Sequence, residues 1–151
     1  MQLVSYAFDI YADSGDIRFI KELCERGFAC DVEQLGGFAF FSLCACKTLD
    51  LFKRGVNFFV EKKVNVLART KRGHSLLTYM LTPQKIDENT PEKVAFLLKE
   101  YPEFIKSSNE CHELMNKLEK RKATDQKSIK TIMQILSAYL CRDRVRFIYA
   151  V

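Results

Sequence analysis

The chain has 151 residues, about one domain's worth and long enough to bury a core without disulfide or metal staples. Hydrophobic residues make up 48% and charged residues 28%, a globular balance; 6 Gly and 3 Pro exclude collagen-like and Pro/Gly-rich chains and argue against an all-β fold full of tight turns. The formal net charge is +5, most of it beyond residue 100, so acids and bases nearly balance over the first hundred residues. The longest nearly uncharged run, Gly36 to Cys46, falls well short of the roughly 20 apolar residues that a spanning helix needs. The opening Met1-Gln2-Leu3-Val4-Ser5 carries no positive charge and meets Asp9 early, so it does not read as a secretory signal. Six cysteines (Cys24, Cys30, Cys44, Cys46, Cys111 and Cys141) in such a chain read as reduced thiols of a cytoplasmic protein.

Helical periodicity recurs along the chain. Ile17, Ile20, Leu23 and Cys24 fall at i, i+3, i+6 and i+7, and Gly27 ends that helix. The Phe-rich stretch Phe38, Phe40 and Phe41, with Phe52, Phe58 and Phe59, reads as core between helix layers or, in part, as an exposed binding patch. Thr90-Pro91-Glu92 offers an N-cap, a Pro in the first turn and an acid, and Val94, Leu97, Leu98 and Tyr101 repeat behind it. Ser107 and Glu110 have capping-box spacing, and Asp125 stands where it can cap a last long helix. Helices are therefore predicted near 108–122 and 126–140, the latter striped by Ile129, Ile132, Met133, Leu136 and Leu140. The final Phe147-Ile148-Tyr149-Ala150-Val151 is too apolar for a free tail and is expected to dock on these helices. No segment alternates with period two, so the expected class is all-α with short helices.

Two stretches resemble each other. Gly15 to Gly27 is a turn, a helix and a helix-ending Gly; Asn57 to Leu81 is a helix end, a polar extension, a Gly turn and a new helix. The Gly37/Gly73 pair and the Gly27/Lys63 pair are each separated by 36 residues, which argues for one structural period. The pattern resembles the ankyrin repeat, whose period is about 33 residues. Tyr6 to Asp31 looks like the end of one repeat, with Ala12 at the small position of its first helix and Gly15 at the turn between helices. Val64-Asn65-Val66-Leu67-Ala68-Arg69 looks like a finger strand, and Gly73-His74-Ser75-Leu76-Leu77-Thr78 sits where the family has Gly-x-Thr-Pro-Leu-His. The departures are large: Leu76 stands for Pro, Thr78 for His, and the second unit reads Ala39-Phe40-Phe41-Ser42 with about three extra residues. The resemblance implies a single-domain α-solenoid of three to four helix pairs. It would consist of degenerate repeats over residues 4–101 and a diverged helical cap with its docked tail over 102–151.

Nothing points to catalysis. There is no glycine-rich phosphate loop, and Cys111 and His112 are neighbours on one helix, where they point apart. Cys44-x-Cys46 lacks the spacing and the second pair of a metal knuckle, so no metal and no cofactor are expected. Cys24, Cys44 and Cys46 read as packing residues, and Cys30 as an exposed one. His74 reads as a satisfied turn residue or as a ligand contact, and Ser75 or Thr78 as the brace of the helix that follows.

Arg69-Thr70-Lys71-Arg72 places three cations in four residues at a turn. It is a solvated charge run, or a patch that steers an acidic peptide or surface. The family resemblance implies a non-enzymatic protein–protein interaction module that binds through its fingers and first helices, with Glu33, Phe38, Arg69, Lys71, Arg72 and His74 as partner-binding residues. Short, degenerate, Lys- and Phe-rich arrays of this kind resemble those that intracellular bacteria and large DNA viruses direct at host proteins. The basic cluster Lys117, Lys120, Arg121, Lys122, Lys127 and Lys130 supports an alternative, a helical regulator that binds nucleic acid, although Glu110, Glu113, Glu119 and Asp125 dilute it and no aromatics interleave.

Overall fold

The computed structural model describes residues 2–28, 33, 37–82, 85–120 and 126–149. Among them there is no strand. The helices are α1 (Gln2–Ser14), α2 (Arg18–Glu25), α3 (Leu49–Glu61), α4 (Leu76–Met80), α5 (Thr90–Glu100), α6 (Ser108–Glu119) and α7 (Gln126–Tyr149), with 3-10 segments at Ala39–Ala45 and Pro102–Phe104. The all-helical class expected from periodicity is the class observed. The chain forms two compact units, Met1–Met80 and Leu81–Val151.

The first unit is organised around the 3-10 segment Ala39–Ala45, which α1, α3 and α4 all contact. Runs of this helix type longer than a turn are uncommon. Here the sequence repeats every third residue. Ala39, Ser42 and Ala45 are small and face outward to differing degrees, whereas Phe40, Leu43 and Cys46 are buried, as are Phe41 and Cys44 beside them. With 3.0 residues per turn these sets eclipse into straight rows, and two of the three rows are apolar. The period-three pattern selects the tighter form over an α-helix.

The neighbours supply matching stripes. Ala7, Phe8, Tyr11 and Ala12 of α1 are buried, as are Phe52, Gly55, Val56, Phe58 and Phe59 of α3. Phe8 stacks on Phe59 with ring centroids 5.7 Å apart. Gly55 is where the three elements come closest. A Cβ there would lie 2.6 Å from Cδ2 of Leu43 and 3.1 Å from Cε1 of Tyr11. The Tyr11 hydroxyl donates to the Leu51 carbonyl at 2.5 Å, pinning α1 to the first turn of α3. Thr48 caps that turn by accepting from the Leu51 amide at 3.2 Å.

The ends of α2 and α3 share one geometry. Gly27 has φ +84°, and Lys63, 36 residues on, has φ +62°. In each case the next amide reaches back five residues, Phe28 to the Leu23 carbonyl at 3.0 Å and Val64 to the Phe59 carbonyl at 2.9 Å. This is the left-handed C-terminal closure that favours Gly. The two finger glycines do not match as well. Gly73 has φ +83° with open space around it, whereas a Cβ on Gly37 would meet the Phe41 ring at 3.2 Å.

In the second unit α7 packs on α5 and α6. Ile129, Ile132, Leu136 and Leu140 of the predicted stripe are buried, together with Val94, Leu97, Leu98, Cys111, Leu114 and Leu118. The Tyr139 hydroxyl donates to the Pro102 carbonyl at 2.8 Å, holding the 3-10 turn. Ser107 caps α6 as expected, accepting from the Glu110 amide at 3.2 Å, but Glu110 returns its carboxylate to the Lys106 amide at 2.9 Å rather than to Ser107. Thr90 is not the cap foreseen. Asp87 accepts from the Asn89 and Thr90 amides, and the Thr90 hydroxyl accepts from the Asp87 amide. The α7 helix runs on to Tyr149, so Phe147, Ile148 and Tyr149 are helical; Asp125, Ala150, Val151 and the side chains that were expected to dock lie outside the described residues.

Two substitutions check this packing. Gly55→Leu should lower the unfolding free energy by about 2 kcal/mol through overpacking, while Asn57→Leu on the exposed face of the same helix should change it by less than about 0.5 kcal/mol. Equal effects in urea denaturation would show that the close approach at Gly55 is not felt. Burial raises the Tyr11 phenol to about 12 from its usual 10.0, with Cys46 adding to it, Arg54 opposing and Asp50 adding less. The fold therefore favours the protonated phenol. That stabilisation is whole below pH 10.0 and is lost as the pH climbs toward about 12. Tyr11→Phe should flatten this alkaline loss in a pH series of denaturation curves; an unchanged slope would assign it to other groups.

Candidate functional site

The segment between α3 and α4 folds from its own polar groups. Asn65 accepts from the Leu67 amide with its side chain and from the Ala68 amide with its carbonyl, so the expected finger strand begins as a turn. A hairpin follows. The Thr70 amide donates to the His74 carbonyl at 2.9 Å, the Gly73 amide to the Thr70 carbonyl at 2.8 Å, and the His74 amide to Thr70 Oγ1 at 3.1 Å. Gly73 supplies the left-handed φ that the return requires. Thr70, the one uncharged residue in the Arg69–Arg72 run, is buried and braces the turn from inside. Arg69 is half-buried and reaches the Gly73 carbonyl across the hairpin at 3.5 Å. Lys71, Arg72 and His74 are exposed.

Helix α4 starts from a reciprocal cap. The Ser75 amide donates to Thr78 Oγ1 at 2.8 Å, and the Thr78 amide to Ser75 Oγ at 3.3 Å. Both residues expected to brace the helix do so together. This cap locks the hairpin to α4, whose Leu76, Leu77 and Met80 are buried.

Glu33 joins the site from far along the chain. Its carboxylate accepts from the Lys71 amide at 3.0 Å. The residue foreseen as a partner contact thus ties its own segment to the hairpin. Phe38 is half-buried, stacked on Phe40 at 5.4 Å and 5°, and edge-on to Phe41 at 5.4 Å. Phe41 in turn stacks on Tyr79 of α4 at 5.1 Å. The rings form a continuous ladder from the start of the 3-10 segment to α4. The Phe cluster is thus mostly core, as expected, with Phe38 and Tyr79 as its half-buried ends. Tyr79 was not foreseen; its place one turn after the Ser75 cap is the signal that could have found it.

The remaining candidates lie apart. Cys111 is buried with its thiol toward the Leu136 carbonyl at 3.6 Å, while the adjacent His112 is exposed, so the two do point apart. Cys44 and Cys46 are buried packing residues; Cys24 is only half-buried, because α2 contributes just Ile20 fully to the core. Cys141 is exposed, and Cys30 lies outside the described residues. No group of three or more His, Cys, Asp or Glu side chains poised for a metal occurs among the described residues. Lys117, Lys120, Lys127 and Lys130 are exposed, but so are Glu113 and Glu119; Arg121 and Lys122 lie outside the described residues. Lys93 of α5 is buried despite its charge.

Removing the tie should loosen the hairpin. Glu33→Ala should speed hydrogen exchange at the Lys71 amide and lower stability by about 1 kcal/mol, because it deletes a charge-assisted bond at a partly exposed site. Unaltered exchange at Lys71 would show that Glu33 does not hold the turn. No protein-family model, curated protein or solved structure matches the chain.

Proposed function

We propose that the chain is a non-enzymatic protein-binding module, an ankyrin-like stack of short helix pairs that presents the 69–74 hairpin and the half-buried rings beside it to another protein. One observation carries the reading: Glu33 and Lys71, 38 positions apart and each in a stretch that the repeat resemblance names as a finger, meet at one hydrogen bond. The 36-residue recurrence of left-handed helix closures at Gly27 and Lys63 supports the same period. So does the row in which α1 and α4 each contact the 3-10 segment, since first helices of successive pairs pack side by side in such a stack.

In this reading Arg69, Lys71 and Arg72 meet an acidic surface, His74 and Phe38 flank it, and Glu33 serves as a brace instead of a direct contact. The protein works in the cytoplasm, and its short Lys- and Phe-rich array suits a protein of an intracellular bacterium or large DNA virus aimed at a host target. The structure has no helix long and apolar enough to cross a membrane among the described residues.

Affinity capture from host-cell cytosol with the wild-type chain and with a triple variant, Arg69→Glu, Lys71→Glu and Arg72→Glu, tests the proposal. Lys71 and Arg72 are exposed, whereas Arg69→Glu removes the bond to the Gly73 carbonyl, so circular dichroism and a melting curve establish that the variant keeps its fold. Loss of a captured protein with the variant is expected. Equal capture by both chains would move the interface off the hairpin.

A further inference from the structure

We infer that the solvent face of α7 is a second binding surface, one that takes the phosphate backbones of double-stranded DNA. It stands on a different element from the hairpin and needs nothing of the protein-binding role proposed above.

Charge in the second unit is sorted by helix. Helix α7 carries five basic residues and one acid, Asp143, and so accounts for four of the chain's five net positive charges. Helix α6 carries three acids and one base, and α5 two of each. A face that served solubility alone would mix the signs, as α6 does with Glu113 and Lys117 one turn apart. Across α7 from the buried Ile129, Ile132, Leu136 and Leu140 the set is different. Lys127, Lys130 and Arg142 are exposed there and enter no ion pair among the described residues. Between them Thr131, Gln134, Ser137, Ala138 and Cys141 are exposed at helical spacings, which puts all of them on one face. No acid interrupts the sequence from 126 to 142.

The face has cationic ends and a low, uncharged middle. The Thr131 hydroxyl donates to the Lys127 carbonyl at 3.1 Å, within its own helix. Gln134 and Ser137 carry donors of the kind that bind phosphate oxygens, and Ala138 and Cys141 are small enough for close approach. At 1.5 Å per residue the two ends stand about 18–22 Å apart. That span bridges the major groove of B-form DNA, about 12 Å wide, with Lys127 and Lys130 at one backbone and Arg142 at the other. Other anionic partners fit less well. A membrane surface calls for large apolar side chains beside the cations, a protein interface for aromatic anchors, and a single strand for rings on which its bases stack. Neither a ring nor a large aliphatic side chain is among the exposed residues of this face.

The test uses the full chain and a short fluorescein-labelled DNA duplex of random sequence, with an oligothymidine of equal length as the second probe. Binding is read by fluorescence anisotropy in a salt series and mapped by amide chemical shifts. The duplex should bind more tightly than the oligothymidine and shift amides along residues 127–142. Its affinity should fall about 40-fold over a fourfold rise in salt, as three cations that each release about 0.9 counterion predict. With Lys127→Gln and Lys130→Gln together the same rise in salt should cost only about fourfold. Both side chains are exposed, so the variant should keep its circular dichroism. The charge-matched control, Lys71→Gln with Arg72→Gln on the hairpin, should leave the salt dependence as it is. The inference is overturned by no binding of the duplex, by equal binding of the oligothymidine, or by amide shifts confined to other helices, a result that needs no variant. An unaltered salt dependence in the α7 variant, or an equal loss in the hairpin control, overturns it as well. Capture of a protein through the hairpin is a separate outcome and survives any of these failures.

Discussion

Seven residues, Ala39–Ala45, hold the first unit together because none of the helices around them can stand alone. Isolated helices shorter than about 12–15 residues are marginal in water. Here α2 has 8 residues, α4 has 5, and α1 and α3 have 13 each. Each must bury an apolar stripe against something, and α1, α3 and α4 all bury theirs against the 3-10 segment. Phe40 and Leu43 are wholly inaccessible to solvent as a result. Two rows of the segment are apolar, so it packs on neighbours to more than one side, which an α-helical stripe of the same length would not do.

The same segment links core to surface. Its ring ladder starts at half-buried Phe38 and ends at half-buried Tyr79. The hairpin that feeds α4 is held by three independent devices: the Thr70 and Gly73 turn bonds, the Ser75–Thr78 reciprocal cap and the Glu33 carboxylate on Lys71. A loop so braced holds its backbone in one conformation, and in the proposed binding role little ordering entropy would be left to lose.

Much of this was legible in the sequence, for identifiable reasons. The α7 stripe and the helix-ending Gly27 follow from 3.6 periodicity and from the left-handed closure that glycine favours. The Ser107 and Ser75/Thr78 braces follow from cap chemistry, which is local. The 3-10 form of Ala39–Ala45 was not read from the sequence; its signal is the recurrence of the small residues Ala39, Ser42 and Ala45 at every third position. Thr90 was taken for a cap because Thr before Pro is a strong local signal, but Asp87, three residues earlier, accepts from the Asn89 and Thr90 amides instead. The role of Glu33 and the burial of Lys93 depend on neighbours distant in the chain, and no local pattern announces either.

The most direct measurement is native-state hydrogen exchange on the wild type and on Phe40→Ala. If the 3-10 segment is the shared support, truncating Phe40 should lower protection in α1, α3 and α4 together and by similar amounts. Retained protection in α1 and α3, with loss confined to residues 39–45, would mean that these helices find their stability without it and that the account begins from the wrong element.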